Sequence, residues 1–223
     1  MEQHNHPTPE SILQIGTGFW ASKILLAAVN FELFTKLAEK RSMSALEIKT
    51  MLHLRSTDRN VYDFLDALLA FGFLTREGIL ETARYSNSDN TDFFLDKKKP
   101  SYIGGLLEML NNRLYGFWAN LEEGLRTGLP QNEARNGENL FATLYADQDR
   151  LKGFINAMSG VQMGNFLAFS QSFDFSRYKT LTDAGGSSGS ALCDIVLSVH
   201  GIRHPAAVRH LPVPTLQLQS RFL

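Results

Sequence analysis

"SRYKTLTDAGGSSGSALCDIV", residues 176–196, reads as a short strand that breaks into glycines and resumes as a helix. Leu181 alternates with polar neighbours ahead of Asp183, and Gly185, Gly186 and Gly189 follow. Glycines let the backbone bend sharply and let a ligand approach where a Cβ would intrude. The N–H groups opening the next helix then face that ligand, and an acidic residue at the strand end accepts a hydrogen bond from its amine or hydroxyl. An ordinary strand-to-helix turn has the same composition, so the cluster alone does not define a site. Residues 190–223 are all that follow it, far too few for a doubly wound sheet of several βα units.

Working back from this turn, the chain is helical. "FWASKILLAAVNFELFTKLAEK" (19–40) repeats apolar residues with helical period, and Trp20, Ala21, Ala27, Val29 and Leu33 fill most of its remaining circumference. A helix apolar nearly all round is covered on more than one side, either as an internal core helix or as one shared with a dimer partner. "SMSALEIKTMLHL" (42–54) opens with a serine cap and places Glu47 three residues after Ser44. "STDRNVYDFLDALLAFGFLT" (56–75) forms a third helix stopped by Gly72. Two short strands around "REG" complete a hairpin. Three helices and a wing predict a winged-helix module.

Such modules often bind DNA, but charge argues against it here. The third helix carries Asp58, Asp63 and Asp66 against Arg59, and the wing balances Arg76 and Arg84 with Glu77 and Glu81. Carboxylates aimed at phosphate repel it. No nucleic-acid partner is expected. Segments 100–133 and 138–178 read as further helices, with a turn at Gly128–Pro130, and Lys97–Lys99 as a solvated loop.

The bulk numbers agree with a folded cytoplasmic protein. Charges nearly cancel, 22 basic against 23 acidic, and 43% of residues are hydrophobic. Cys193 is the single cysteine, which excludes a disulfide framework and a thiolate metal site and suits a reducing compartment; no metal is expected. The start "MEQHNHPTPE" has neither a basic nor an apolar region of a signal peptide. No uninterrupted apolar run reaches a membrane span, so no membrane partner is expected.

In this order, "LLAAVNFELFTKLAE", "FLDALLAFGFL", "LEEGLRTG", "FINAMSG" and "FDFSRYKTLTDAGGSSG" resemble one family. It is the S-adenosylmethionine-dependent O-methyltransferases of the caffeate and acetylserotonin type, with the resemblance covering residues 12 to about 197. It implies an α-rich winged-helix dimerisation domain, a helical connector and an incomplete α/β Rossmann-like methyltransferase domain. The expected division is a disordered leader (1–11), the dimerisation domain (12–99), the connector (100–178) and a truncated methyltransferase domain (179–223). It also implies S-adenosyl-L-methionine as cofactor, a homodimer through the N-terminal domain, and a small aromatic acceptor whose hydroxyl takes the methyl group. Asp183, Gly185, Gly186 and Gly189 match the family's first cofactor motif, with Ser187 in place of its third glycine. Phe154 and Met158 match the F-x-x-x-M pattern that lines the family's pocket near the transferred methyl; by residue type alone they read as core.

The resemblance fades after Val196. The family's base is a histidine far into the second half of the methyltransferase domain, and none of His4, His6, His53, His200, His204 and His210 stands in a matching element. No catalytic residue is assigned. After Asp194 there is no Asp or Glu to hold the cofactor's ribose, and His210-Leu211-Pro212 stands where the family tends to have an acidic residue before Leu-Pro. A frameshift or alternative splice near codon 196 is one expectation, and a chain inactive alone is another. The alternative function is a non-catalytic dimerisation or regulatory partner, including a heterodimer with a full-length relative.

Overall fold

The computed structural model describes residues 7–137 and 139–175. They fall into two compact units that divide after Gln131. Segment 100–131, read from sequence as the start of a connector, lies within the first unit.

The first unit opens with α1 (Glu10–Asn30) and α2 (Leu33–Lys40). Sequence periodicity predicts one helix over 19–40; the structure breaks it. Glu32 adopts φ 58°, a left-handed conformation, so the chain turns between the two helices and aims Leu33, Phe34 and Leu37 into the core. The apolar spacing carries on across the break, which hides it from a periodicity argument. At the other end, α1 starts at Glu10, inside the expected leader.

α3 (Ala45–Met51) carries the capping box expected of Ser44 and Glu47. The Glu47 carboxylate accepts from the Ser44 backbone N–H at 2.7 Å, and the Ser44 hydroxyl accepts from Glu47 N–H at 3.3 Å. α4 (Asp58–Ala70) is capped by Thr57 and ends before Gly72 at φ 73°. β1 (Leu74–Glu77) and β2 (Arg84–Asn87) pair antiparallel, Leu74 opposite Asn87 and Glu77 opposite Arg84. Met43 adds a one-residue bridge to Tyr85 on the far side of β2. α5 (Asp89–Leu95) follows, capped by Ser88.

The core lies among these elements. Ala28 and Val29 from α1, Leu33, Phe34 and Leu37 from α2, Ile48, Val61, Leu65 and Leu68 from α3 and α4, and Leu74 and Tyr85 from the hairpin form one buried cluster. Each large apolar side chain there contributes about 1.5–3 kcal/mol.

Lys97–Lys99 stand on a largely exposed loop, as expected, and each also makes an ion pair. Lys97 bridges Glu32 at 2.6 Å and Glu108 at 2.8 Å, Lys98 reaches Glu39 at 2.8 Å, and Lys99 pairs with Asp92. The run links the α1–α2 junction, α2 and α5 to the next helix through carboxylates whose positions sequence spacing does not reveal.

That next stretch runs as α6 (Gly104–Met109), a π-helical turn (Leu110–Leu114) and α7 (Tyr115–Trp118), followed by α8 (Leu121–Thr127). The Tyr102 ring lies so close to Gly104 that a Cβ would overlap it. α8 stops at Gly128, φ 69°, at the expected turn.

In the second unit α9 (Leu140–Ala146) and α10 (Gln148–Ser172) pack on each other. Asn139 caps the first and Asp147 the second, each side chain accepting from two backbone N–H groups.

Candidate functional site

One exposed apolar surface dominates the first unit. Along the N-terminal half of α1, Ile12, Leu13, Ile15, Phe19 and Trp20 are exposed, Ile15 at 82% and Trp20 at 61%. Only the far end of the helix enters the core, through Leu26, Ala28 and Val29. By length and composition α1 is also long and apolar enough to cross a membrane.

The π-helical turn and α7 continue this surface. Lys23 donates to the Asn111 side-chain carbonyl at 2.6 Å and sits 5.1 Å from the Tyr115 ring centroid. One turn back along α1, the Phe19 carbonyl accepts from the Tyr115 hydroxyl at 3.5 Å. Four residues back on one helix match four forward on the other, so the two run antiparallel. Trp118, 68% exposed, therefore lies toward the apolar start of α1, and Leu121, Leu125 and Leu129 are exposed beyond it. Exposed apolar side chains thus recur along α1 and over 118–129, a candidate association surface.

A second feature of this unit is an open cleft of about 410 Å³ between α4 and the hairpin, lined by Arg59, Tyr62, Asp66, Arg76, Leu80, Glu81 and Tyr85. Asp66 accepts from Arg76 at 2.9 Å and from the Tyr85 hydroxyl at 3.0 Å. Burial, and then the bond to Asp66, push the Tyr85 phenol up. Arg84 is spent inside the domain on Ser42 and Glu47.

In the second unit, Phe154 and Met158 stand one turn apart on the same face of α10. Phe154 is half-buried and Met158 is 37% exposed. The same face continues through the exposed Val161, Asn165 and Phe169. Asn165 donates to the Gln162 side-chain carbonyl at 2.9 Å. Ala157, next to this face, is fully buried. Asp183, Gly185, Gly186, Ser187 and Gly189 lie outside the described residues. Among the described residues no three His, Cys, Asp or Glu side chains are gathered as for a metal.

Two positions escaped the sequence reading. Lys23 was legible as the one basic residue of α1, but its partners come from 88 residues away in sequence. The Gln162–Asn165 pair left no pattern that separates it from a solvated helix face.

The α1 part of this candidate face falls almost wholly within a family-model match. Residues 13–97 match the O-methyltransferase dimerisation domain. These residues belong to that family. The chain is 37% identical over 192 residues to the tetracenomycin polyketide synthesis 8-O-methyl transferase TcmO of Streptomyces glaucescens, covering 85% of this chain and 54% of the relative. It is 28% identical to the N,N-dimethyltransferase OxyT of Streptomyces rimosus, over 86% of this chain and 55% of the relative. The chain thus spans about half the length of the curated relatives it matches. In fold it is similar to human N-acetylserotonin methyltransferase solved with SAM, with a TM-score of 0.79 at 20% identity, over 100% of this chain and 68% of that one. It is likewise similar to PigF solved with SAH, with a TM-score of 0.69 at 22% identity, over 92% of this chain and 64% of that one.

Proposed function

We propose that this chain is the dimerising and acceptor-facing part of an S-adenosyl-L-methionine-dependent O-methyltransferase whose acceptor is a hydroxyl on a small aromatic, polyketide-type molecule. The observation that carries this is the 37% identity to TcmO over 85% of the chain. The lower identity to OxyT favours oxygen over nitrogen as the methylated atom.

In this reading α2–α4 and the hairpin form a winged helix within a dimerisation domain at 12–99, followed by a connector at 100–178 and the start of a Rossmann-like domain at 179–223. Two copies associate through α1 and α7–α8, which accounts for an apolar helix whose N-terminal half this chain leaves uncovered. A cytoplasmic setting follows from the single Cys193.

The cofactor assignment rests on sequence, since its residues lie outside the described structure. Gly185, Gly186 and Gly189 would let the backbone approach, Ser187 would add a hydroxyl, and Asp183 would accept from the ligand. When bound, the cofactor supplies an electrophilic methyl group. Phe154 and Met158 would hold an aromatic acceptor flat against α10, supplying the alignment an in-line displacement needs. No base for the hydroxyl proton is assigned.

The test is methyl transfer from labelled S-adenosylmethionine to a hydroxylated naphthacene ring system by the purified chain, beside calorimetric titration with S-adenosylhomocysteine. Transfer confirms the reading. Binding without transfer leaves the cofactor assignment standing and removes activity from this chain. Absence of both rejects the reading for it. The second reading, pairing with a longer relative, rests on the same exposed α1 face. Co-expression with such a relative would give a stable mixed dimer, and Ile15→Glu would abolish it by burying an unpaired charge.

A further inference from the structure

Lys23 is the only charged residue of α1 beyond Glu10. It stands one turn from Phe19 and Trp20, both exposed, at the inner end of the exposed apolar stretch of α1. No carboxylate of the described residues pairs with it; its recorded partners are the Asn111 carbonyl at 2.6 Å and the face of Tyr115 at 5.1 Å. Asn111 lies within the π-helical turn Leu110–Leu114 and Tyr115 directly follows it. Single π-turns inside helices recur at functional positions, and here Asn111 and Tyr115 stand four residues apart, both directed at one ammonium.

We propose that Lys23, pinned to Asn111 and Tyr115, fixes the register in which two copies of this chain pack. This rests on the self-association stated above and goes beyond it. Apolar faces alone permit many sliding arrangements of nearly equal energy. A single charged residue bordering such a face limits them, because alignments that slide apolar side chains over it strip the water from the donors that Asn111 leaves unfilled. In a two-fold interface each residue meets its counterpart's surroundings twice. Drawn back onto its own chain, Lys23 forbids alignments that press it against the other copy's Ile15 or Trp20.

The partner is a second copy rather than an unrelated protein because the face is continuous with the matched dimerisation domain. The polar trio extends that face past residue 97, into the π-turn and α7.

The experiment is a pulsed electron–electron distance measurement on the full chain, Cys193→Ser, with a nitroxide at Arg55→Cys in the exposed loop before α4. With Lys23 present, one narrow inter-copy distance is expected. Lys23→Met should keep the dimer while the distribution splits or at least doubles in width, Asn111→Leu should do the same, and Lys23→Arg should restore the single distance. A narrow, unchanged distribution in both Lys23→Met and Asn111→Leu overturns the proposal. So does a monomeric but folded Lys23→Met, which would make the contact a source of strength rather than of register. Absence of any inter-copy distance in the unsubstituted chain removes the self-association reading, and this inference with it.

Discussion

Tyr85, on the second strand of the hairpin, donates its phenolic hydrogen to the Asp66 carboxylate on α4 at 3.0 Å. Asp66 also holds Arg76, on the first strand, at 2.9 Å. One carboxylate thus joins both strands to the helix. Tyr85→Phe leaves Asp66 with its arginine and should cost about 1 kcal/mol. Asp66→Leu strips both donors and leaves a hydroxyl on a buried residue without its acceptor. Its expected cost is larger, about 1–3 kcal/mol. Urea unfolding followed by circular dichroism checks this ordering, with the midpoint shifting and the slope unchanged.

The same tyrosine makes the fold sensitive to alkali. Burial, and then hydrogen bonds to carboxylates, raise both phenols, Tyr85 through Asp66 and Tyr102 through Glu108, the latter strongly. A raised folded pKa means stability is fully present below the ordinary tyrosine value of about 10 and is lost as pH rises through the folded values. The unfolding free energy should therefore be flat from pH 8 to 9 and fall above about pH 10, by at most ~1.4 kcal/mol per pH unit for each phenol. Tyr102→Phe should make that fall shallower. On the acid side, Glu32 is lowered by its bond to Lys97, so its contribution is present above the ordinary carboxylate range and disappears as pH drops through its folded value. Added salt should blunt that acid effect, because the pair is partly exposed.

Arg41 is held at φ 66°, ψ −50°, and the Ser42 N–H donates back to the Lys40 carbonyl at 2.8 Å. That is the strained three-residue turn that side-chain-bearing residues seldom adopt. Arg41 is exposed, so its replacement removes little packing. Arg41→Gly should stabilise by about 1 kcal/mol, the strain relieved outweighing the extra freedom of the unfolded chain. A rise of roughly 2–4 °C in melting temperature would show it. A lower melting temperature would mean the turn is not strained.

What sequence revealed and what it hid divide along local and distant causes. The Ser44–Glu47 capping box and the Gly72 stop are set by residues within a few positions, and each stands where its spacing predicts, whereas the hairpin turns over 78–83, with Arg76 and Glu77 inside its first strand rather than in the turn. The break at Glu32 is different. Its side chain pairs with Lys97, 65 residues away, and the apolar period runs on through its left-handed backbone. The ion pairs of Lys97–Lys99 were not legible because each lysine's carboxylate comes from another element. The apolar excess of α1 was legible, along with the two readings it allowed. Its C-terminal end is buried while its N-terminal half is exposed, so an internal core position describes only part of the helix.

α10 sets a fully buried position beside an exposed one that the family resemblance marks as a candidate pocket residue. Ala157 is fully buried, whereas Met158, the next residue, is 37% exposed on the face it shares with Phe154. Ala157→Leu forces three added carbons into a closed space and should destabilise by about 1–3 kcal/mol. Met158→Ala gives up contact only on an open face and should cost well under that. If Met158 lines the acceptor site, the effects on function reverse in order. Measured on a methyl-transferring form of the protein, Met158→Ala should raise the acceptor KM by about tenfold, equal to some 1.4 kcal/mol of lost contact, with the KM for S-adenosylmethionine unchanged. Equal loss for both substrates would place Met158 in general support of the helix, and no change in either would remove it from the acceptor site.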